Sequence, residues 1–262
     1  MRIPRSSPLR ASVVFLILAS IGGTGCVTSY LNETRRNREY AAEQRRHFAD
    51  LTQAAKRGDP KARVTLVGTL LTWPHRQPGD LEQALAWLTQ LAEQGDGPAQ
   101  YALGSALSAR GFGDWGFMPS ALRNREQGIA WLQRAAMHGC AFEEKGGRVD
   151  VDPALAVAQV LEDAKRYDDA LAWQGRSIVE CQAMQVDRLL RLATAKDDTP
   201  VRRTDSLALL LLTQDAAAIA AARRDVPADE FAAAEQSAAR LRVRIAAIQH
   251  DFPRRQKGTV KP

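Results

Sequence analysis

From residue 59 onward, apolar positions recur at helical spacing and come in paired runs. Residues 60–71, 98–109 and 153–165 form a first helix-like run in each of three stretches. A second run follows each and carries Ala84-Leu85-Ala86-Trp87, Gly128-Ile129-Ala130-Trp131 or Ala170-Leu171-Ala172-Trp173. Asp59-Pro60, Gly97-Pro98 and Asp152-Pro153 open the first runs, and Pro at the start of a helix loses no N–H that the helix needs. The phrases Ala55-Lys56-Arg57-Gly58, Ala92-Glu93-Gln94-Gly95 and Ala136-Met137-His138-Gly139 place a Gly where a helix would stop on a left-handed residue. These glycines are 37 and 44 residues apart and the tryptophans 44 and 42 apart, so the unit is helix, loop, helix, tight turn. Trp87, Trp131 and Trp173 are expected to pack between helices. Gly68 and Gly104, inside helices, predict close helix–helix contact.

The flanks are expected to be helical too. Residues 30–54 are polar and arginine-rich and become helix towards Phe48 and Leu51, with the start serving as a tether. Their basic excess reads as a solvated face, with contact to anionic head groups the alternative. After the repeats, helices are predicted near 183–196, over Ser206–Arg223 and over Ala228–Gln249. In the last, Phe231, Ala234, Ala238, Leu241, Ile245, Ile248 and Phe252 step by 3 and 4, a coiled-coil seam. Leu207 and Leu209 to Leu212 supply an apolar partner, so the last two helices are expected to form a hairpin. Use of the seam for self-association is the alternative. Residues 253–262 have nothing to bury and are expected to be a flexible basic tail.

The repeat phrasing resembles Sel1-like repeats, relatives of tetratricopeptide repeats. It is most complete from Gly95 to Gly139, with Ala99-Gln100-Tyr101-Ala102-Leu103-Gly104, Arg110-Gly111-Phe112-Gly113 and Ala130-Trp131-Leu132. The resemblance implies an all-α fold in which units stack into an α-solenoid over 55–182, with residues 183–252 as its C-terminal cap. It also implies a protein-binding surface. The middle unit is extended by Gly111 to Asn124, where Trp115, Phe117 and Met118 are either a partner-binding loop or part of the repeat core.

Composition then narrows the compartment. Arg2, Arg5 and Arg10 precede Ala11 to Ile21, an apolar run too short to span a bilayer but suited to a signal peptide. Small residues Gly22 to Gly25 lead to Cys26, an arrangement that resembles a bacterial lipobox. The resemblance implies removal of residues 1–25, acylation of Cys26, and outer-membrane sorting, because Val27 is not the Asp that retains lipoproteins at the inner membrane. Loss of three bases with residues 1–25 reduces 36 Lys and Arg to 33, against 30 Asp and Glu. That balance does not suggest nucleic-acid binding. Lipidation of Cys26 leaves Cys140 and Cys181, either a disulfide stapling neighbouring units or two buried thiols.

No reactive constellation is apparent. His47, His75, His138 and His250 are scattered, without metal-ligand spacing. Phosphate loops, nucleophile elbows and Cys/His arrangements are absent from the sequence. Asp168 and Asp169 read as charge at a helix start. The expectation is a protein with no cofactor, metal site or catalytic residues. It is expected to be an outer-membrane lipoprotein facing the periplasm and to scaffold an envelope assembly, either polysaccharide export or a pilotin-like role. A sequestering inhibitor or immunity-type protein is the alternative.

Overall fold

The structure, a computed structural model, describes residues 33–72 apart from 34 and 37, then 77–108, 119–144, 147–181, 186–195 and 200–253. Cys26, the segment 1–25, the loop residues Trp115, Phe117 and Met118, and the tail after 253 lie outside the described residues. The chain divides at 57/58 into two units. The first contributes helix α1, residues 38–56. The second contains α2 (Pro60–Thr72), α3 (Asp80–Glu93), α4 (Gly97–Leu107), α5 (Arg125–Ala136), α6 (Pro153–Asp163), α7 (Tyr167–Cys181), α8 (Val186–Thr194), α9 (Pro200–Thr213), α10 (Ala216–Asp225) and α11 (Ala228–Asp251). The described chain is thus mostly helical.

Local chemistry accounts for the helix ends. The side chains of Asp59, Asp96 and Asp152 accept from the N–H groups of Ala62, Ala99 and Leu155 at 2.8–2.9 Å, each satisfying a first-turn donor that the helix leaves open. The prolines follow within two residues, so cap and proline act together. At the far end of α3, Gly95 has φ 89°. Its N–H donates to Ala92 O and that of Asp96 to Leu91 O, closing the helix with paired bonds that need a left-handed residue. Gly58 and Gly139 take the same conformation, whereas at the end of α6 the left-handed position falls on Lys165 (φ 61°).

In the second unit, packing follows chain order from α2 to α7, each helix contacting the next. The α4–α5 contact is made by two glycines. A Cβ on Gly104 would lie 2.8 Å from Leu132 N and 2.9 Å from Gly128 O; one on Gly128 would lie 2.8 Å from Gly104 O and from Ser108 N. These neighbours are backbone and cannot swing aside. Gly104→Ala or Gly128→Ala is therefore expected to cost about 1–3 kcal/mol through overpacking, seen as a lower unfolding midpoint. Gly175→Ala should cost less, because its Cβ would meet the side-chain ends of Ile245 and Leu212. Equal losses at all three positions would contradict this reading.

One expected helix is corrected, and two details are added. Between α5 and α6 the chain forms an antiparallel hairpin, β1 (Ala141–Glu144) and β2 (Gly147–Asp150), pairing Phe142 with Val149. The helix expected over Ser206–Arg223 is two, α9 and α10. The chain turns at Gln214 (φ 59°), and Asp215 caps α10 by accepting from Ala218 N. The α11 seam, by contrast, meets the leucine run expected as its partner. Phe231, Ala234, Ala238, Leu241 and Ile245 are buried with Leu207, Leu209, Leu210 and Leu212 of α9 and Ala172 of α7 in one core. The partner of α11 is α9, while α10 packs on α8 and α9. Arg203 on α9 clamps Glu230 on α11 through two bonds of 3.1 and 2.8 Å. Ala172 and Ile178 of α7 belong to this core, so α7 packs against the C-terminal helices.

Asp205 on α9 has its carboxyl pushed above the usual range, first by burial and then by the negative charge of Asp168. A raised carboxyl pKa means that ionisation disfavours the folded state, so the penalty is present near neutral pH and disappears on acidification. Asp205→Asn is expected to raise the unfolding midpoint at pH 7, with the gain vanishing below about pH 4. A gain independent of pH would exclude the electrostatic cause.

Candidate functional site

Among the described residues, a recess of about 260 Å³ lies where α5, α6, the start of α7 and the end of α11 meet. Its floor is apolar. Leu161 and Trp173 are buried, and Ile248 and Phe252 half-buried. The Trp173 and Phe252 rings sit 5.7 Å apart and tilted. Both aromatics are placed by helix periodicity: Trp173 belongs to the recurrent phrase of the second helix in each pair, and Phe252 ends the α11 seam. Trp131, the equivalent of Trp173, is also buried, with the Arg134 guanidinium 4.5 Å over its ring; Trp87 is only half-buried.

The rim is charged and internally paired. Arg166 bonds Asp169 Oδ2 through Nε and Nη2 at 3.1 and 3.0 Å, and reaches Glu126 Oε2 at 3.3 Å. Arg244 Nη2 bonds the other Asp169 oxygen at 2.7 Å. Asp169 thus does more than place charge at a helix start: it joins α7 to α11. Its partners are partly exposed, so each pair adds little stability by itself. The useful property is geometric, because shared oxygens hold two long side chains upright around an apolar floor. Such a recess suits an apolar or aromatic side chain whose polar ends meet the rim.

Beside this recess lies a guanidinium with no exposed surface. Arg176 donates from Nε to Glu180 Oε1 at 3.0 Å and from Nη2 to Phe252 O at 3.0 Å and Ala136 O at 3.5 Å. Glu180 Oε1 also accepts from Gln249 Nε2 at 2.8 Å. Ala136 ends α5 and Phe252 caps α11, so one buried cation serves the carbonyl ends of two helices, where positive charge is favoured. Arg176 Nη1 has no partner, which is a cost of burying this group.

Cys140 and Cys181 are joined by a disulfide, with Cα atoms 5.3 Å apart. The bridge continues a line of ties between α7 and the segment around the hairpin: Arg176 to Ala136 O, the Ser177 hydroxyl to Asp152 Oδ2, then Cys181 to Cys140. Val151 N donates to Cys140 O at 3.0 Å and closes the base of the hairpin. His138 packs near the same place, with its ring 6.3 Å from that of Phe142. Tyr101 meets Phe142 at 5.8 Å, and burial together with Asp152 raises its phenol well above the usual range.

Arg166, Arg176 and Arg244 were not singled out by the sequence pattern. The available signal was Arg176, three residues after Trp173 and hence on the buried face of α7. Among the described residues, no group of three or more His, Cys, Asp or Glu side chains is placed to hold a metal ion. Nor is any described helix long and apolar enough to cross a membrane.

The fold and the site define a mostly helical protein with a disulfide and an apolar recess under a paired-charge rim. Comparison with protein-family models, curated proteins and solved structures returns no match.

Proposed function

We propose that this chain is a lipid-anchored envelope protein of the Sel1-like, tetratricopeptide-like repeat kind. Its α-solenoid docks a partner protein of an outer-membrane assembly, in polysaccharide export or in a pilotin-like role. The observation that carries the reading is the Cys140–Cys181 disulfide in a chain headed by Arg2, Arg5, Arg10, the apolar run Ala11 to Ile21 and Cys26. Disulfides persist in oxidising compartments and are rare where thiols are kept reduced. The N-terminal pattern supplies a route to such a compartment and a site for acylation. Helices that pack in chain order support stacking of the repeats, and the recess over Trp173 and Phe252 supports binding rather than turnover.

Two measurements test this. Cys26→Ala is expected to move the protein out of the membrane fraction; continued membrane attachment would overturn the acyl anchor. Affinity purification of the tagged protein from cross-linked envelopes is expected to recover a pore or polymer-export component. Recovery of one soluble protein at equal stoichiometry would instead mark a sequestering inhibitor.

A further inference from the structure

We propose that α1 is a second, electrostatic contact with the membrane: one row along it recognises the phosphate head groups of anionic phospholipid. The row runs Arg38, Ala42, Arg45, Ala49, Gln53, Lys56, with steps of three and four that keep it on one side of the helix, and Arg35 precedes it by three residues. With Arg35 it contains four bases, no acid and no large apolar side chain. All of its members are exposed except Ala42, which is half-exposed.

The acids of this segment are segregated elsewhere. Glu39, Glu43 and Asp50 share the neighbouring row with Arg46 and Arg57, where charges of both signs nearly balance. Arg35 pairs with Glu39 at 3.8 Å, so the charge of the row rests chiefly on Arg38, Arg45 and Lys56. Ala41, Phe48, Leu51 and Ala55 fall away from this row and are half-buried or buried, whereas Tyr40 is exposed. A solvated helix needs no such sorting of charge, and a basic overall balance does not produce it.

The length and position of the row identify the occupant. Arg38 to Lys56 spans about 27 Å of helix, so the charges are spread along a line, as a planar surface requires. Taken with the proposed acyl anchor, on which this part of the inference rests, Arg35 lies only nine residues after Cys26. Chain geometry limits that reach to about 30 Å. The anchor therefore holds the row at high local concentration over the head groups. Bases beside a bilayer are attracted to anionic lipid over roughly a Debye length.

The test is co-sedimentation of the full chain with vesicles of phosphatidylcholine alone or with about 30 mol% phosphatidylglycerol. Binding is expected to rise about tenfold with the anionic lipid and to fall back in about 0.5 M salt. Arg38→Gln/Arg45→Gln/Lys56→Gln should abolish the rise. Arg188→Gln/Arg224→Gln/Arg240→Gln, which removes the same charge from exposed positions elsewhere, should keep it. Equal binding to both vesicle types, or equal loss in both variants, overturns the proposal. A salt-sensitive preference for an acidic protein over anionic vesicles overturns it as well. The mass of the Cys26 peptide separates the two readings: an unmodified Cys26 with the lipid preference intact removes the anchor and leaves this contact standing.

Discussion

Arg176→Ala is expected to destabilise the second unit by about 3–5 kcal/mol, the range for removing one partner of a buried ion pair. The guanidinium is fully buried, and truncation leaves three acceptors changed at once. Glu180, itself only 10% exposed, keeps only the Gln249 amide among its described partners. Phe252 O and Ala136 O lose a donor at the ends of α11 and α5. The Arg176 guanidinium also lies 5.1 Å from the centre of the Trp173 ring, so truncation opens space under the floor of the recess. Arg176→Lys should recover little, because a single ammonium on a flexible stem cannot replace the fork that reaches three acceptors. Arg176→Met with Glu180→Gln should recover more, since the cost of burying charge disappears with the pair. Denaturant unfolding monitored by tryptophan fluorescence checks all three. An Ala variant as stable as the parent would mean that the side chain reaches solvent.

Breaking the Cys140–Cys181 bridge is expected to be comparable, about 4 kcal/mol from the chain-entropy argument for a loop of this length. The two cysteines are 41 residues apart and enclose the hairpin, α6 and nearly all of α7. Cys140→Ser/Cys181→Ser should therefore lower the unfolding midpoint, and a reductant should lower the parent to the same value. Amide exchange should rise first in β1 and β2, whose base is held by Cys140. Insensitivity of the parent to reductant would show that the thiols are not bridged. This effect and that of Arg176 will not add, because both act on the last turn of α7 and share neighbours.

The helices from α2 to α7 were legible because their signals are short. An Asp three residues before the N–H it caps, a Pro beside it, and a Gly at the left-handed stop all act within one turn. The seam of α11 was legible for the same reason, since helical periodicity maps spacing directly onto a face. The hairpin was harder to read. Ala141–Asp150 is short and polar, with little alternation to mark it, and its most visible cue is the pair Gly146-Gly147, the second of which opens β2. The break at Gln214 was hidden because a left-handed Gln has no distinctive neighbour; only Asp215, as a cap for Ala218, marked a new start.

Partners were a different matter. The pattern offered Leu207 and Leu209 to Leu212 as the partner of the α11 seam; that Ala172 of α7 joins the same core came only from the tertiary structure. Asp169 read as a charge at a helix start, yet it binds Arg244, 75 residues later. Arg176 finds its acceptors 40 and 76 residues away. By itself, the sequence determined where most helices begin and end, α9 and α10 excepted, and which side of α11 is apolar, because hydrogen bonding and periodicity act over a few residues. The tertiary structure alone decided which charges are buried, which are paired and where a recess remains. Those outcomes depend on which helix ends meet, and no local pattern encodes them.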